Sequence, residues 1–82
     1  MNIFGHRIKD TEIIGISPLV ATQEDHLGLI SFQLTVYTKM NNINIYSTQF
    51  AIADKEAQRF WQEGYRTAEK LICEQIGEIA HQ

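Results

Sequence analysis

Apolar and polar side chains alternate through the middle of this chain in the pattern that β-strands produce. The clearest run covers residues 30–37, where apolar residues at even positions alternate with polar residues and a tyrosine at odd positions. Successive side chains of a strand point to opposite faces of a sheet, so this period of two predicts a half-buried strand with one core face and one wet face. The apolar positions are Ile30, Phe32, Leu34 and Val36, and the polar-face positions are Ser31, Gln33, Thr35 and Tyr37.

A preceding strand is predicted between Thr11 and Ala21, with apolar residues on both faces. One face carries Ile14, Ile16 and Val20, and the other carries Ile13, Gly15, Ser17 and Leu19. Proline has no backbone N–H to donate to a neighbouring strand, so we expect this strand to lie at a sheet edge or to carry a bulge near Ser17 and Pro18. The polar residues 22–26 are then expected to form a turn.

A third strand is predicted from Ile43 to about Ala53, after a turn at Asn41 and Asn42, whose side chains suit positive φ. The length of this turn decides which side chains face the core, because a shift of one residue moves every side chain to the opposite face. A two-residue turn leaves a polar side chain inside the hairpin. It pairs Tyr37 with Tyr46 and Gln33 with Phe50 outside, and it sets Gln49 against Leu34 in the core.

A three-residue turn over residues 40–42 gives a more consistent pairing. The inside pairs are then Val36 with Tyr46, Leu34 with Thr48, Phe32 with Phe50 and Ile30 with Ile52, and the outside pairs are Gln33 with Gln49 and Thr35 with Ser47. This register avoids burying an unpaired amide, which costs about 1–3 kcal/mol. We therefore predict that Tyr46 and Phe50 both face the core.

The last part of the chain, residues 54–81, has the periodicity of an amphipathic helix. Asp54 suits the N-cap, and Glu56 lies in the first turn, where the helix dipole favours a negative charge. One face carries Ala57, Trp61, Gly64, Ala68, Ile72 and Ile79, flanked by Phe60, Tyr65, Leu71 and Ile76. The small residues of this face are expected to let the helix backbone approach the sheet. With Gly77 as its weak point, the helix is predicted to be about 40 Å long.

Together these elements predict a single α+β domain over residues 1–82, in which a three-stranded antiparallel meander over 11–53 packs one face against one long C-terminal α-helix. Residues 1–10 are expected to form an arm or a short strand, either of which buries Ile3, Phe4 and Ile8. Three strands span only about 10 Å, so the end of the helix overhangs unless it runs along them. That end is the predicted seam for another subunit. Its residues are Leu71, Glu74, Ile76, Glu78 and Ile79.

Composition narrows the class of protein. The 82 residues carry a formal net charge of −3, so binding to a phosphate backbone needs a local basic patch that opposes the overall sign. A chain this short buries a modest fraction of its surface, and we therefore expect a homodimer. Cys73 is the only cysteine, which excludes an internal disulfide framework. Neither a signal peptide nor a membrane span is evident, and a cytoplasmic location is expected.

The sequence contains no recognisable catalytic or metal-binding motif. His6, His26 and His81 are far apart, and none has a second ligand at the spacing that metal sites commonly use. Cys73 is expected to pack along the helix, with Glu69 disfavouring its thiolate. We therefore expect no cofactor, no metal ion and no enzymatic activity, and the alternative of a small enzyme has no residue to support it.

Charged side chains divide the outward face of the predicted helix into two halves. The first half carries Arg59, Arg66 and Lys70, and the second carries Glu69, Glu74 and Glu78. Negative charge near the C-terminus opposes the helix dipole, although pairs such as Lys70 with Glu74 offset part of that cost. If the charges are not simply solvated, the acidic end is suited to a basic partner surface.

Two hypotheses for function belong to different classes. The first is a small acidic protein-binding module of the adaptor or inhibitor type, homodimeric and without catalytic activity, that presents a helix face and a polar sheet face to another protein. The alternative is a nucleic-acid-binding domain, because some double-stranded RNA-binding domains share the order of three strands and a helix. Bases would then stack on an exposed sheet face. Its residues are Tyr37, Lys39, Tyr46 and Phe50.

Overall fold

The computed structural model describes residues 1–76 and confirms the predicted α+β architecture, an antiparallel sheet with one long C-terminal helix that contacts its first strand. The elements in chain order are β1 (Asn2–Ile3), β2 (His6–Arg7), a short 3-10 turn (Asp10–Glu12), β3 (Ile13–Ile16), β4 (Val20–Ala21), β5 (Leu29–Ile30), β6 (Phe32–Thr38), β7 (Asn42–Tyr46), β8 (Phe50–Ala51) and α1 (Lys55–Ile76).

Each predicted strand of the sheet is present but divided in two. Strand β6 lies at the centre, with β3 and β4 paired to one side of it and β7 paired to the other, all antiparallel. The short strands β5 and β8 pair with each other and extend the hairpin of β6 and β7. The three predicted strands therefore correspond to β3 with β4, β5 with β6, and β7 with β8.

A bulge in β3 overturns the predicted face of the first strand. Its register against β6 shifts between Ile13 and Gly15, so one extra residue, Ile14, enters the strand. Ile13 and Ile16 are both buried as a result, whereas Ile14 is 45% exposed. Val20, in β4, is also exposed. The prediction that Ile14, Ile16 and Val20 share a face was wrong because the extra residue at Ile14, and a second one at residues 18–19, which together face only one residue of β6, each reverse the alternation.

The predicted break at Ser17 and Pro18 is confirmed, and it lies on an edge of the sheet. The N–H of Ser17 donates to the carbonyl oxygen of Thr35 at 2.8 Å. The N–H of Thr35 donates in return to the Ser17 hydroxyl oxygen at 2.7 Å. The side chain thus takes the place of a backbone carbonyl, and the central strand keeps its hydrogen bonds beside an interrupted edge.

The same exchange occurs at two further irregular places of the sheet. The N–H of Thr22 donates to the oxygen of Ser31 at 2.8 Å, and the N–H of Ser31 donates to the Thr22 hydroxyl at 2.9 Å. On the other edge, the N–H of Ser47 donates to the oxygen of Phe32 at 2.9 Å, and the N–H of Phe32 donates to the Ser47 hydroxyl at 2.6 Å. Hydroxyl side chains therefore maintain the ladder where the strands are irregular.

The hairpin adopts neither of the two predicted registers. Tyr37 pairs with Asn42, and the loop between them is closed by the Thr38 N–H, which donates to the oxygen of Asn41 at 3.2 Å. The Asn41 N–H donates to the Thr38 hydroxyl at 3.1 Å, and this hydroxyl also contacts the Asn41 oxygen. Inside the hairpin Leu34 pairs with Ile45 and Val36 pairs with Ile43.

This register corrects the prediction that Tyr46 and Phe50 share the core face. Tyr46 pairs with Gln33 and is 63% exposed. Phe50 pairs with Ile30 and is partly buried, its ring centroid 5.5 Å from that of Phe32. Between the pair Tyr46–Gln33 and the pair Phe50–Ile30, residues 47–49 lie opposite only two residues, 31 and 32. The extra residue reverses the alternation, so the two aromatic rings lie on opposite faces of the sheet.

The helix covers the inner face of the sheet through the face that its periodicity predicts. The Ala57 N–H donates to the Asp54 carboxylate at 3.0 Å, which confirms the predicted N-cap. Ala68 and Ile72 are buried, and Trp61, Tyr65 and Ile76 pack partly against the core. The buried members of this core are Ile3, Ile8, Ile13, Ile16, Leu34, Val36, Ile45, Ala68 and Ile72. The predicted continuation of the helix over residues 77–81 lies outside the described residues.

The N-terminal segment forms a hairpin of β1 and β2 that packs beside the helix. Ile3 and Ile8 are buried, as predicted, and Phe4 is partly buried. The Phe4 ring stacks on Trp61 with ring centroids 4.0 Å apart, and a Cβ atom at Gly64 would lie 2.7 Å from the ring. Gly64 therefore makes room for Phe4, a contact that the predicted approach of the helix to the sheet did not include.

Candidate binding surfaces

The outer face of the sheet, opposite the helix, holds a set of mostly exposed side chains in fixed register. We call it the tyrosine–amide face, and its residues are Gln33, Thr35 and Tyr37 of β6 with Asn42, Asn44 and Tyr46 of β7. They face one another as the pairs Gln33 with Tyr46, Thr35 with Asn44 and Tyr37 with Asn42. Each strand places every second side chain on this face, so the backbone fixes their spacing.

A shallow groove of about 260 Å³ crosses this face. It is lined by Ser17, Pro18, Val20, Gln33, Leu34, Thr35, Asn44 and Tyr46. Within it, the Thr35 hydroxyl donates to the Asn44 side-chain oxygen at 2.9 Å, so the amide nitrogen of Asn44 remains a donor for a ligand. Tyr46 provides an apolar ring with a hydroxyl at its tip. The groove therefore offers hydrogen bonds and aromatic contact without a charge.

The sequence-predicted nucleic-acid face is only partly assembled. Tyr37 and Tyr46 are exposed together on the tyrosine–amide face, whereas Phe50 packs inward beside Phe32. Lys39 is exposed in the loop that joins β6 to β7. None of the residues that define the face is charged, and residues 40–53 contain no charged side chain at all. Aromatic rings are thus available here, but the cations that neutralise phosphates are sparse.

The predicted seam at the end of the helix is partly described. Leu71 is 46% exposed and Glu74 is exposed, whereas Ile76 is partly buried against the core. Glu78 and Ile79 lie outside the described residues. This end is anchored, because the Gln75 side-chain amide donates to the oxygen of Asp10 at 2.6 Å. A broad groove beside it is lined by Asp10, Thr11, Ile13, Ile14, Lys39, Gln75 and Ile76.

Tyr65, Glu69 and Cys73 form a cluster on the inner side of the helix in which the phenol and the thiol are held in their protonated forms. The Tyr65 hydroxyl donates to the Glu69 carboxylate at 2.9 Å. Burial, this hydrogen bond and the Glu69 charge raise the pKa of Tyr65 well above its ordinary value of 10.0. Burial, followed by the charge of Glu69, also raises the pKa of the Cys73 thiol. A thiol with a raised pKa is a poor nucleophile at neutral pH.

Charges elsewhere on residues 1–76 form few contacts. The cations Arg59, Arg66 and Lys70 are exposed on the helix, and no ion pair joins Lys70 to Glu74. The N-terminal ammonium group contacts the Asp10 carboxylate at 2.5 Å and donates to the oxygen of Ile8 at 2.7 Å. These contacts fasten the start of the chain to the core rather than create a binding site.

The described part of the chain, residues 1–76, offers neither a metal site nor a membrane-spanning helix. No group of three histidine, cysteine, aspartate or glutamate side chains is placed to hold a metal ion between residues 1 and 76. Over the same residues, no helix combines the length and hydrophobicity that crossing a membrane requires. Comparison of the chain with protein-family models, curated proteins and solved structures finds no match.

Proposed function

We propose that this chain is a small, non-catalytic protein-binding module that binds its partner through the tyrosine–amide face, as an adaptor or an inhibitor does. The single observation behind this proposal is the register of β6 and β7, which turns two tyrosines and four neutral polar side chains outward together. The backbone beneath the face is held by hydrogen bonds, because each of its residues belongs to a paired strand.

The chemistry of the face suits a protein better than other ligands. Tyrosine is enriched in protein interfaces, and asparagine supplies adaptable hydrogen bonds in binding loops. A folded protein surface presents a mixture of apolar groups, donors and acceptors that such a face can match without desolvating a charge. These properties support recognition of a mostly neutral patch on another protein.

Nucleic-acid binding is the second candidate, and the exposure of Tyr46 beside Tyr37 is the observation in its favour. Base stacking on aromatic rings is favourable for any sequence, but affinity for nucleic acid depends chiefly on cations placed along the backbone. The neutral face and the net charge of −3 weigh against this function.

A photo-crosslinking experiment in source cells tests the proposal. A photoreactive phenylalanine analogue is placed either at Tyr46 or at Phe60, which is equally exposed but lies on the helix. We expect a discrete adduct with a protein other than a second copy of this chain from position 46, and no protein adduct from position 60. An RNA adduct at position 46, or a protein adduct from position 60 alone, would contradict the proposal.

Binding of the purified chain to the captured protein then gives the quantitative test. Tyr46→Ala is expected to weaken binding about tenfold or more, because tyrosine side chains at the centre of interfaces often contribute 2 kcal/mol or so. Phe60→Ala is the matched control and should leave the affinity unchanged. Affinity should also change little between about 50 and 200 mM salt, whereas nucleic-acid binding would fall steeply.

A further inference from the structure

We propose that β7 is the surface through which two copies of this chain associate, by antiparallel pairing of β7 with β7 across a two-fold axis at Asn44. The inference deepens the homodimer expectation, which rests on chain size, and it assigns the seam to a sheet edge instead of the end of the helix. It is independent of the partner that the tyrosine–amide face binds.

Over the described residues, the backbone of β7 is unpaired on the side that faces away from β6. Just outside the strand, the Asn41 oxygen accepts from the Thr38 N–H, and the Ser47 N–H donates to the Phe32 oxygen. Alternate residues from 41 to 47 therefore point their N–H and C=O groups towards β6. The backbone groups of Asn42, Asn44 and Tyr46 therefore point away from the sheet. No strand pairs with that side of β7 within residues 1–76. Such an edge is a template for another strand.

The opposite edge of the sheet, formed by β3 and β4, is less suited to pairing than β7 is. There, β3 carries the bulge at Ile14, and Pro18 interrupts the chain between β3 and β4. Bulges and prolines are the features that prevent a strand from adding to an edge. Because one edge is open and the other is interrupted, self-pairing through β7 closes at two copies instead of growing into a fibre.

The absence of charge on β7 also favours pairing with a second copy of the same strand. Residues 40–53 contain no charged side chain, although 21% of the whole chain is charged. In a two-fold pairing, each side chain lies near a side chain of the same strand in the other copy, so a charge at the centre would face an identical charge. Because β7 is neutral, two copies of it pair without that repulsion. A charged strand of another protein would find no opposite charge on β7 to attract it.

The length of β7 sets the register in which two copies of it pair most completely. Centring the axis on Asn44 is the arrangement that pairs all five residues of β7, with Asn44 opposite its copy and Asn42 opposite Tyr46 of the second copy. On the inner face, Ile43 then lies opposite Ile45 of the second copy. Ile43 is only partly buried in one chain, so the pairing covers apolar surface as well as satisfying backbone groups. It also joins two tyrosine–amide faces into one continuous surface.

A charge-swap experiment on the full chain tests this inference. Light scattering or sedimentation should give twice the chain mass for the natural protein at high micromolar concentration. N44K, whose side chain lies on the outer face, should raise the dissociation constant about fivefold or more because the introduced lysines face each other. A mixture of N44K and N44D should restore the dimer. Q33K, on the same face but on the central strand, is the matched control and should remain dimeric.

Disulfide capture gives a second readout that does not depend on affinity. Directly opposed residues of a hydrogen-bonded antiparallel pair have Cα atoms about 5.5 Å apart, which is within the range of disulfides. In a Cys73→Ser background, N44C should therefore crosslink to a covalent dimer on mild oxidation, and Q33C should not. Failure of N44C to crosslink would contradict the proposed register.

Several outcomes would overturn the inference. A natural protein that stays monomeric, or that forms open-ended aggregates, removes the two-fold pairing. A dimer that survives N44K but dissociates on Leu71→Lys has its seam at the end of the helix. A monomer whose β7 edge binds an extended segment of another protein shows that the edge serves a different occupant. The crosslinking test of Tyr46 against Phe60 remains distinct, because its expected adduct contains a protein other than this chain.

Discussion

The two faces of the sheet differ sharply in burial, although they are formed by the same strands. On the inner face, Leu34, Val36 and Ile45 are each at most 3% exposed and pack in one cluster with the helix. On the outer face, Gln33 and Tyr46 pair across the same two strands and are exposed. Neighbouring residues of one strand therefore have different physical roles, because alternation sends one into the core and the next into water.

The conformation of the outer face depends on the packing of the inner face, because both faces share one backbone. The outer side chains make few contacts with each other, and the hydrogen bond from Thr35 to Asn44 is one of these. Their spacing is set by a backbone that the buried isoleucines, leucine and valine hold against the helix. The outer face can consequently change in composition at little cost to the fold, which is the property expected of a binding surface.

The largest expected effect comes from the inner face. Leu34→Ala removes a side chain that is 3% exposed and leaves a cavity, so we expect the free energy of unfolding to fall by about 2–5 kcal/mol. Chemical denaturation followed by circular dichroism measures the change. A loss below 1 kcal/mol or so would contradict the view that this face holds the domain together.

An intermediate effect is expected at the edge where the strands are interrupted. Ser17→Ala removes the hydroxyl that accepts the Thr35 N–H, leaving a partly buried donor without its partner at a cost of about 1–2 kcal/mol. Ser17→Thr keeps a hydroxyl and serves as the control, measured by the same denaturation curves. Equal stability of the two variants would show that water replaces this hydroxyl without cost.

A pH-dependent effect is expected from Tyr65 on the inner side. Its pKa is raised in the folded state, so above its ordinary value of 10.0 the unfolded chain releases a proton that the folded chain retains, and stability falls as pH rises. Tyr65→Phe cannot ionise and should lose less stability between pH 8 and pH 11 or so. Parallel losses in the two proteins would contradict the assignment.

The smallest effect is expected on the outer face, immediately beside Leu34. Gln33→Ala shortens an exposed side chain and should change the free energy of unfolding by no more than about 0.5 kcal/mol. Leu34→Ala, measured under the same conditions, is the matched comparison. A loss from Gln33→Ala that approaches the loss from Leu34→Ala would mean that the outer face also supports the fold.

Local patterns predicted much of this fold because they reflect local physics. The alternation through Leu34 and Val36 identified the central strand and its buried face, and the N-cap at Asp54 identified the start of the helix. The position of Ala68 and Ile72 on the buried helix face followed from a period of 3.6 residues. Each of these features depends on the geometry of a single element.

Sequence reasoning failed where an extra residue enters a strand. The bulge at Ile14 and the irregular residues 47–49 each reverse the alternation, and nothing in the composition of those residues marks them as bulges. The sequence does carry one signal for the face of β7, since Ile43 and Ile45 alternate with Asn42 and Asn44 and so indicate which side of the strand is buried. That alternation by itself predicts an outward Tyr46.

The order of elements, the buried side of the central strand and the amphipathic face of the helix were determined by the sequence alone, since periodicity and capping act within a few residues. Long-range contacts settled that Phe50 lies on the opposite face from Tyr46 and packs on Phe32, and that Gly64 makes room for Phe4. Those outcomes depend on the bulges and long-range contacts through which the hairpins and the helix share one core. Their energies compare whole packings, which no local stretch of sequence encodes.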